Sequence, residues 1–464
     1  MTAPLPKSAF VEAAPVSPNT GALDGLAQRA RYRNWFLSWL VLPNLPYLPA
    51  TILGGPPRYP EIVICAAAGL AVRRLPYSVR ITVFVAMMGL MLASFIARMF
   101  NMNLTMVMSV APLVLGINPS ASPEYVMGAA LQLLTLAGAC WLLRYRSDFT
   151  GSKWLFAGIG LALLAAGCDY AKSRAAMGSY ARFPSADVPF SSATQQAGLL
   201  DLADGKANVM LVMVEAMGEP RNPALRARFE RIWKRPELAE KYDVTLGSTQ
   251  YYGSTTSGEM RELCQRWGNY PEITEAEPGC LPSVLAARGY QTTSFHAFNS
   301  DFFERSRWYP LIGFQHSVFG DRLLKQGAGL CPNVFTGACD KDVPPIIAKH
   351  LQSASKPQFV YWLTLNSHLP IVENRELGTE NCAKLGGRMD KDFPMVCRLF
   401  AIWEDTAASL VQTINRPNFP PTHILIVGDH MPPLTHQGSR LQFEPDRVPW
   451  ILLRSRDAIE QDAQ

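Results

Sequence analysis

Apolar segments dominate the first 170 residues of this chain and limit its fold more than any other feature. About 20 consecutive apolar residues are enough for a helix to cross the hydrocarbon core of a bilayer. Five segments predict an N-terminal helical transmembrane domain: residues 35–55, 60–75, 81–99, 124–143 and 153–170. Pro43, Pro46 and Pro49 lie in the first segment, so we expect a kinked helix there.

The loops between the predicted spans alternate between arginine-rich and arginine-poor. Cytoplasmic loops carry an excess of Lys and Arg. The arginine-poor loops hold only Arg58 and Arg98. The basic loops hold Arg29, Arg31, Arg33, Arg73, Arg74, Arg80, Arg144, Arg146 and Lys153. We therefore expect the N-terminus in the cytoplasm and the chain after residue 170 outside it.

A further apolar segment, Leu104 to Asn118, follows the third predicted span. A crossing at this point would break the alternation of the basic loops. We therefore interpret the segment as interfacial or re-entrant, with an ordinary short span as the alternative.

Charge and histidine content separate the chain into two parts. The net charge is only +5, and much of it comes from arginines that flank apolar runs, so we expect no nucleic-acid partner. All seven histidines follow residue 295, which places the titratable chemistry in the second half of the chain.

Six cysteines in the second half predict disulfides and export to an oxidising compartment. Six cysteines permit fifteen pairings, and among these we favour the pairing of sequence neighbours. The alternative, a structural zinc site, lacks a paired CxxC spacing. The favoured pairs are Cys264 with Cys280, Cys331 with Cys339, and Cys382 with Cys397.

Short apolar runs alternate with helical patterns in the second half. Helical patterns cover Pro223 to Trp233 and Val343 to Leu351. This alternation predicts an α/β domain with a mostly parallel sheet between helices. The predicted strands are Asn208 to Val214, Phe359 to Leu365, His423 to Val427 and Val448 to Leu453. We therefore expect a cytoplasmic tail (1–34), a transmembrane domain (35–170), a linker on the membrane surface (171–206) and a catalytic domain (207–464).

Polar side chains follow three of the predicted strands. Ligand sites of parallel sheets lie beyond the carboxyl ends of the strands. Glu215 follows the first strand, Asn366 to His368 follow the second, and Asp429 with His430 follows the third, after Gly428. Alone, a carboxylate at a strand end is more often a cap or a loop charge. Together, these carboxylates and the imidazole predict a divalent metal site.

A Ser/Thr-rich segment, Gly253 to Glu259, precedes a helical pattern that continues through Trp267. Thr256 and Glu259 have the spacing of a capping box, which leaves Thr255 just before the helix N-terminus. Backbone N–H groups at that position favour a phosphate. The alternative is a loop that only caps the helix. A metal ion next to Thr255 would favour the interpretation of Thr255 as a nucleophile, because metal coordination activates a hydroxyl.

Four motifs of this chain resemble, in the same order, those of membrane transferases of the alkaline phosphatase and sulfatase superfamily. These transferases include lipoteichoic acid synthases, osmoregulated-glucan phosphoglycerol transferases and lipid A phosphoethanolamine transferases. The motifs are Asn208 to Glu215, the helix start at Thr255, Thr364 to Pro370, and Gly428 to His430. The resemblance implies that Thr255 is the nucleophile and that His368 binds the phosphate or assists the leaving group. It also implies one zinc or manganese ion held by Glu215, Thr255, Asp429 and His430.

The resemblance further implies substrate contacts from three other residues. His296 and Arg305 lie in a stretch similar to the substrate-contacting segment of the lipoteichoic acid synthases, and His436 is similar to a histidine of the phosphoethanolamine transferases. A guanidinium binds phosphate through two hydrogen bonds. The alternatives are a surface ion pair for Arg305 and a core position for His296.

The activity implied by the resemblance is transfer of a phospho-alkyl head group through a phosphothreonine intermediate. The expected donor is a membrane phospholipid, the acceptor an envelope glycan or lipid, and the group phosphoethanolamine in preference to phosphoglycerol. The implied location is the bacterial inner membrane, with the catalytic domain in the periplasm. The helix start lacks the Cys/Ser-x-Pro-x-Arg pattern of true sulfatases, which disfavours sulfate ester hydrolysis. A metal-dependent phosphodiesterase and a non-catalytic scaffold are the alternatives.

Overall fold

The computed structural model describes residues 20–110, 116–174, 177, 180, 184, 188–382 and 388–462. The chain divides into two compact units. The first unit comprises residues up to Leu45, Pro60–Met88 and Leu133–Ala166, and the second comprises Pro46–Tyr59, Gly89–Gln132 and the chain from Gly167 onward. The predicted cytoplasmic tail up to residue 19, and residues 175–176, 178–179, 181–183 and 185–187 of the predicted linker, lie outside the described residues.

The apolar segments of the first half form helices. Within the described residues, four helical stretches are long and apolar enough to cross a membrane: Asp24–Leu53, Tyr77–Met99, Pro123–Leu142 and Ser152–Ser173. A fifth apolar helix, Tyr59–Val72, has 14 residues and a length of about 21 Å. The helices are α1 (Thr20–Phe36), α2 (Leu48–Leu53), α3 (Tyr59–Val72), α4 (Tyr77–Met99), α5 (Leu104–Val110), α6 (Pro123–Leu142) and α7 (Ser152–Ser173).

The first of these stretches is an irregular helix, as its prolines predict. Between α1 and α2 the backbone passes through a π-helical turn, Leu37–Val41, and a 3₁₀ segment, Leu42–Tyr47. Pro46 lies inside the 3₁₀ segment. Proline has no N–H to donate and its ring clashes with the preceding turn, so a regular α-helix cannot continue through this sequence.

The segment after α4 begins with a helix, α5, of which Leu104–Val110 are described. The seven residues of α5 extend about 10 Å, whereas the hydrocarbon core is about 30 Å thick. Residues 111–115 lie outside the described residues. Beyond them, the Asn118 N–H donates to the Val334 carbonyl at 3.0 Å, and both residues belong to the second unit. These contacts support the interfacial or re-entrant interpretation.

A seven-stranded sheet forms the centre of the second unit. Its strand order is β2-β9-β8-β1-β7-β3-β4, with β1 between two parallel neighbours, β7 and β8. Strand β9 is antiparallel to both of its neighbours, β2 and β8, and the other strand pairs of the sheet are parallel. The predicted mostly parallel sheet is therefore confirmed. The strands are β1 (Asn208–Val214), β2 (Tyr242–Gln250), β3 (Gln291–His296), β4 (His316–Val318), β5 (Leu330–Cys331), β6 (Gly337–Ala338), β7 (Gln358–Leu363), β8 (Thr422–Gly428) and β9 (Arg447–Ser455).

Helices connect these strands and cover the sheet. The predicted helices at Pro223 and Val343 are present and end at Trp233 and Gln352. The helices of this region are α8 (Ala193–Gln196), α9 (Pro223–Trp233), α10 (Thr255–Cys264), α11 (Leu281–Ala287), α12 (Arg305–Trp308), α13 (Gly320–Lys325), α14 (Val343–Gln352), α15 (Met389–Asp392), α16 (Pro394–Ile414), α17 (Gln437–Arg440) and α18 (Arg456–Asp462).

Three disulfides link sequence neighbours in the second unit, as predicted. They are Cys264–Cys280, Cys331–Cys339 and Cys382–Cys397. Cys264 is the last residue of α10, and Cys280 immediately precedes α11. The first disulfide therefore ties the C-terminus of α10 to the start of the next helix.

We expect reporter fusions to place Asn118 outside the cytoplasm and Ser147 inside it. The physical reason is the charge alternation of the loops. The measurement is the activity of a reporter enzyme that folds only outside the cytoplasm, fused after each position. Reporter activity after Ser147 and none after Asn118 would contradict the predicted topology.

Candidate active site

The carboxyl ends of β1, β7 and β8 are joined by hydrogen bonds around Glu215. The Glu215 N–H donates to Thr364 Oγ1 at 2.9 Å, and the Glu215 carbonyl accepts from Ser367 Oγ at 2.6 Å. The next residue, Ala216, has a left-handed backbone with φ of 56°, and its N–H donates to Asp429 Oδ1 at 2.8 Å. Strained conformations of this kind persist where surrounding contacts impose them. These contacts direct the Glu215 side chain toward Asp429.

Gly428 allows the end of β8 to approach the turn after β1. A Cβ at this position would lie 1.9 Å from the Met217 carbonyl oxygen, so no other residue fits. Asp429 Oδ1 accepts from the Ala216 and His430 N–H groups. His430 Nδ1 lies 2.9 Å from the Met431 carbonyl, which assigns the ring proton to Nδ1 and leaves a lone pair on Nε2.

Helix α10 begins at Thr255, and its N-cap residue lies two positions earlier than the capping-box pattern predicts. Ser254 is the N-cap residue and makes no side-chain capping bond. The Glu259 carboxylate instead binds Arg305 Nη2 at 2.8 Å and accepts from the Tyr309 and Tyr361 hydroxyls. The predicted capping box is therefore wrong, because a buried guanidinium offers Glu259 a full opposite charge.

Four side chains that the sequence predicts to act together meet at this edge of the sheet. Thr255 Oγ1 lies 3.2 Å from Glu215 Oε2 and 3.2 Å from His430 Nε2. His430 Nε2 lies 3.6 Å from Glu215 Oε1 and 3.3 Å from Asp429 Oδ2. One ligand atom from each of Glu215, Asp429 and His430 lies within 4.8 Å of the others.

Two buried oxygens in this cluster have no hydrogen-bond donor. They are Glu215 Oε1 and Asp429 Oδ2. Burial, and then the neighbouring Asp429 charge, raises the pKa of Glu215 well above its usual 4.5. A divalent cation offsets two buried carboxylates, and zinc and manganese both accept carboxylate and imidazole ligands. The residues present therefore fit a metal ion.

His368 lies in the loop after β7, with its ring between two aromatic side chains. Its Nδ1 is 2.9 Å from the Leu369 carbonyl, which assigns the ring proton to Nδ1. The Phe100 ring stacks on the imidazole at 6.1 Å, and the Phe335 ring meets it edge-on at 4.7 Å. Burial, and then the charge of His430, lowers the pKa of His368 to about 4. His368 is therefore neutral at pH 7 and can accept a proton at Nε2.

The other three predicted substrate residues occupy different environments. His296 ends β3, with Nδ1 3.1 Å from the Leu363 carbonyl and a buried Nε2 that has no hydrogen-bond partner. Arg305 is 1% exposed and pairs with Glu259, so it is not a surface residue. His436 is exposed and caps α17 by accepting from the Ser439 N–H at 3.2 Å. Substrate contact by these residues stays a prediction.

Sequence reasoning missed two side chains at the site. Phe100 packs on His368 from a position 268 residues earlier in the chain, and no local pattern indicates that contact. Arg261 donates to the carbonyls of Gly428 and Asp429 from α10. The sequence does contain a signal for Arg261. Thr255, Gly258 and Arg261 are spaced by three residues, and residues with this spacing share a helix face.

We expect the contribution of Glu215 to the stability of the metal-free protein to fall as the pH rises above about 4.5. The folded state raises the pKa of Glu215, so it binds more protons than the unfolded state in this range. Asp429→Asn should weaken this pH dependence, and Zn²⁺ at 100 times its dissociation constant should add about 2.7 kcal/mol. The measurement is thermal unfolding in detergent, with chelator or Zn²⁺.

A matched control for this experiment is Asp243→Asn, which changes an exposed carboxylate that pairs with Arg456. It should leave the pH dependence and the effect of Zn²⁺ unchanged. If wild type and Asp429→Asn had the same pH dependence, and Zn²⁺ had no effect on wild type, the proposed carboxylate pair would be contradicted.

Three solved structures illustrate what the chain is similar to. The lipooligosaccharide phosphoethanolamine transferase A from Neisseria meningitidis is 13% identical, with 94% of this chain and 90% of that chain covered and a TM-score of 0.49. The lipoteichoic acid synthase LtaP from Listeria monocytogenes is 15% identical, with 55% and 70% covered and a TM-score of 0.41. The phosphoglycerol transferase GacH from Streptococcus pyogenes is 16% identical, with 58% and 78% covered and a TM-score of 0.38.

Two comparisons use the sequence of the chain, one with curated proteins and one with family profiles. No curated protein matches the chain. The profile of the sulfatase family matches residues 207–461, which is more than half of the chain and includes every residue of the candidate metal site. The chain therefore belongs to the sulfatase family.

Proposed function

We propose that this protein transfers a phospho-alkyl head group from a membrane phospholipid to an envelope glycan or lipid. The group is phosphoethanolamine in preference to phosphoglycerol. The observation that carries the proposal is the position of Thr255 Oγ1, which lies at a helix start and 3.2 Å from both Glu215 and His430. A buried hydroxyl between a carboxylate and an imidazole is suited to act as a nucleophile.

The metal site consists of the side chains that surround this hydroxyl. Glu215, Asp429, His430 and Thr255 hold one Zn²⁺ or Mn²⁺ ion in this proposal. The ion supplies Lewis acidity that favours the deprotonated hydroxyl and the charge that develops on phosphate oxygens. The chain itself positions Thr255 at the N-terminus of α10, where the helix dipole also favours a negative group.

The first half-reaction moves the head group to Thr255. Thr255 Oγ1 forms a bond to the phosphorus of the donor, and the bond from phosphorus to the diacylglycerol oxygen breaks. The Thr255 proton is transferred during this step to the departing diacylglycerol oxygen, so diacylglycerol leaves as a neutral alcohol. The products are diacylglycerol and a phosphodiester on Thr255.

The second half-reaction moves the head group to the acceptor. An acceptor hydroxyl attacks the same phosphorus, and the bond to Thr255 Oγ1 breaks. His368 takes the acceptor's proton at Nε2, which carries a lone pair because Nδ1 donates to Leu369. That proton returns to Thr255, so the side chain is regenerated.

Location in the inner membrane serves this chemistry. A lipid donor is confined to the bilayer, so a tethered catalytic domain meets it at a high effective concentration. The three disulfides suit the oxidising periplasm, where envelope acceptors lie. The arginine-rich loops are consistent with this orientation.

We expect the metal-loaded wild-type protein to gain the mass of one head group when it is incubated with a phospholipid donor. Thr255→Ala should show no adduct because the attacking oxygen is absent, and Thr255→Ser should keep one. The measurement is intact-mass spectrometry, and the mass gain distinguishes phosphoethanolamine from phosphoglycerol. Thr256→Ser, at the buried neighbouring threonine, is the control and should behave as wild type.

Two outcomes would contradict the transferase. Persistence of the adduct in Thr255→Ala would show that another residue is the nucleophile. A wild-type protein that stays unmodified with both the phosphoethanolamine and the phosphoglycerol donor would contradict the covalent intermediate. If the head group appears free in solution and not on glycan or lipid, water is the acceptor and the protein is a phosphodiesterase.

A further inference from the structure

Helix α10 packs against the backbone of the residue that follows β8. All ten residues of α10 are buried. A Cβ added to Gly258 would lie 3.0 Å from the Asp429 carbonyl oxygen and 3.2 Å from the Asp429 Cβ. Thr255, Gly258 and Arg261 follow one another at intervals of three residues, so they share one helix face. That face is the one that meets the metal-binding turn.

Arg261 links the same helix to two successive carbonyl groups of that turn. Its Nη2 donates to the Gly428 carbonyl at 2.7 Å, and its Nη1 donates to the Asp429 carbonyl at 3.1 Å. The side chain is 1% exposed. A guanidinium is planar and rigid, so a contact through two nitrogens restricts both the distance and the orientation of the helix.

Glu262 holds Arg261 in place from the opposite side. Its Oε1 accepts from Arg261 Nε at 2.6 Å and from the Ala193 N–H at 3.1 Å. Its Oε2 accepts from the Thr194 N–H and from the Thr194 hydroxyl, both at 2.8 Å. Buried ion pairs contribute little net stability compared with well-packed apolar residues, and their best-attested use is to specify one arrangement.

We propose that Arg261 is a positioning residue that fixes the distance between the nucleophile and the metal ligands. The inference rests on the proposed function of Thr255. Thr255 and Arg261 belong to one helix, whereas Asp429 and His430 belong to the turn that Arg261 binds. The 3.2 Å separation of Thr255 Oγ1 and His430 Nε2 therefore depends on how α10 is held against this turn.

The first test compares Arg261→Lys with Arg266→Lys in the full-length protein in detergent. Arg266 lies two residues after α10 and forms a half-exposed pair with Glu277, so it is a matched control. Lysine keeps the charge of Arg261 but lacks the rigid planar fork whose two Nη atoms bind the two carbonyls while Nε binds Glu262. We expect Arg261→Lys to slow single-turnover adduct formation at Thr255 by about tenfold or more, because small displacements of reacting groups are costly. The donor concentration at half-saturation should change less than twofold.

A second readout separates positioning from general destabilisation. Hydrogen exchange measured by mass spectrometry should become faster in Arg261→Lys only in peptides that cover residues 214–218 and 426–432. A merely structural role would speed exchange throughout the second unit. Arg266→Lys should match wild type in both measurements.

Gly258→Ala provides a second variant if Arg261→Lys fails to fold. Alanine is a better helix former than glycine, so α10 by itself is favoured by this change. Its Cβ, however, would press on Asp429. We expect slower adduct formation and faster exchange at residues 426–432, without a lower unfolding temperature.

The proposal is overturned if both variants form the adduct at the wild-type rate, or if exchange rises uniformly. A wild-type protein that forms no adduct would contradict the proposed function instead. The exchange comparison requires no turnover, so it tests the contact between Arg261 and the turn in either case.

Discussion

The arrangement of this site depends on two buried carboxylates, Glu215 and Asp429, at the ends of neighbouring parallel strands. Removing a charged group from water costs several kcal/mol per ion, and a second charge of the same sign adds to that cost. Backbone N–H groups satisfy Asp429 Oδ1, while Asp429 Oδ2 and Glu215 Oε1 have no donor. A divalent cation would compensate both charges.

The sheet brings these groups together because its parallel strands end at the same edge. Gly428 and the left-handed Ala216 let the turns after β8 and β1 approach closely. Helix α10 then adds the Thr255 hydroxyl from outside the sheet. The site thus has a rigid part built on strands and a part whose position depends on helix packing, and Arg261 connects the two.

Elements with long apolar runs are predictable from the sequence, and elements without them are not. Strand β1 has the predicted bounds, and β7, β8 and β9 differ from theirs by a few residues. Strand β3 was missed because its sequence, QTTSFH, is polar, although its side chains are mostly buried. The Thr292 hydroxyl donates to the Gly313 carbonyl and the Ser294 hydroxyl to Ser317 Oγ, which makes burial of these groups tolerable.

The apolar helices, the central strands and the residues that meet at the candidate metal site can be read from the sequence. The disulfide pairs favoured there, one of fifteen possible sets, are those of the structure. Hydrophobic periodicity and strand ends are local properties, and local properties can be read along the chain. Three contacts at the site could not be read from the sequence. Glu259 pairs with Arg305 instead of capping α10, and Phe100 packs on His368. Arg261 binds the turn at Asp429. These partners lie far apart in sequence, and their contacts exist only because packing brings the elements together.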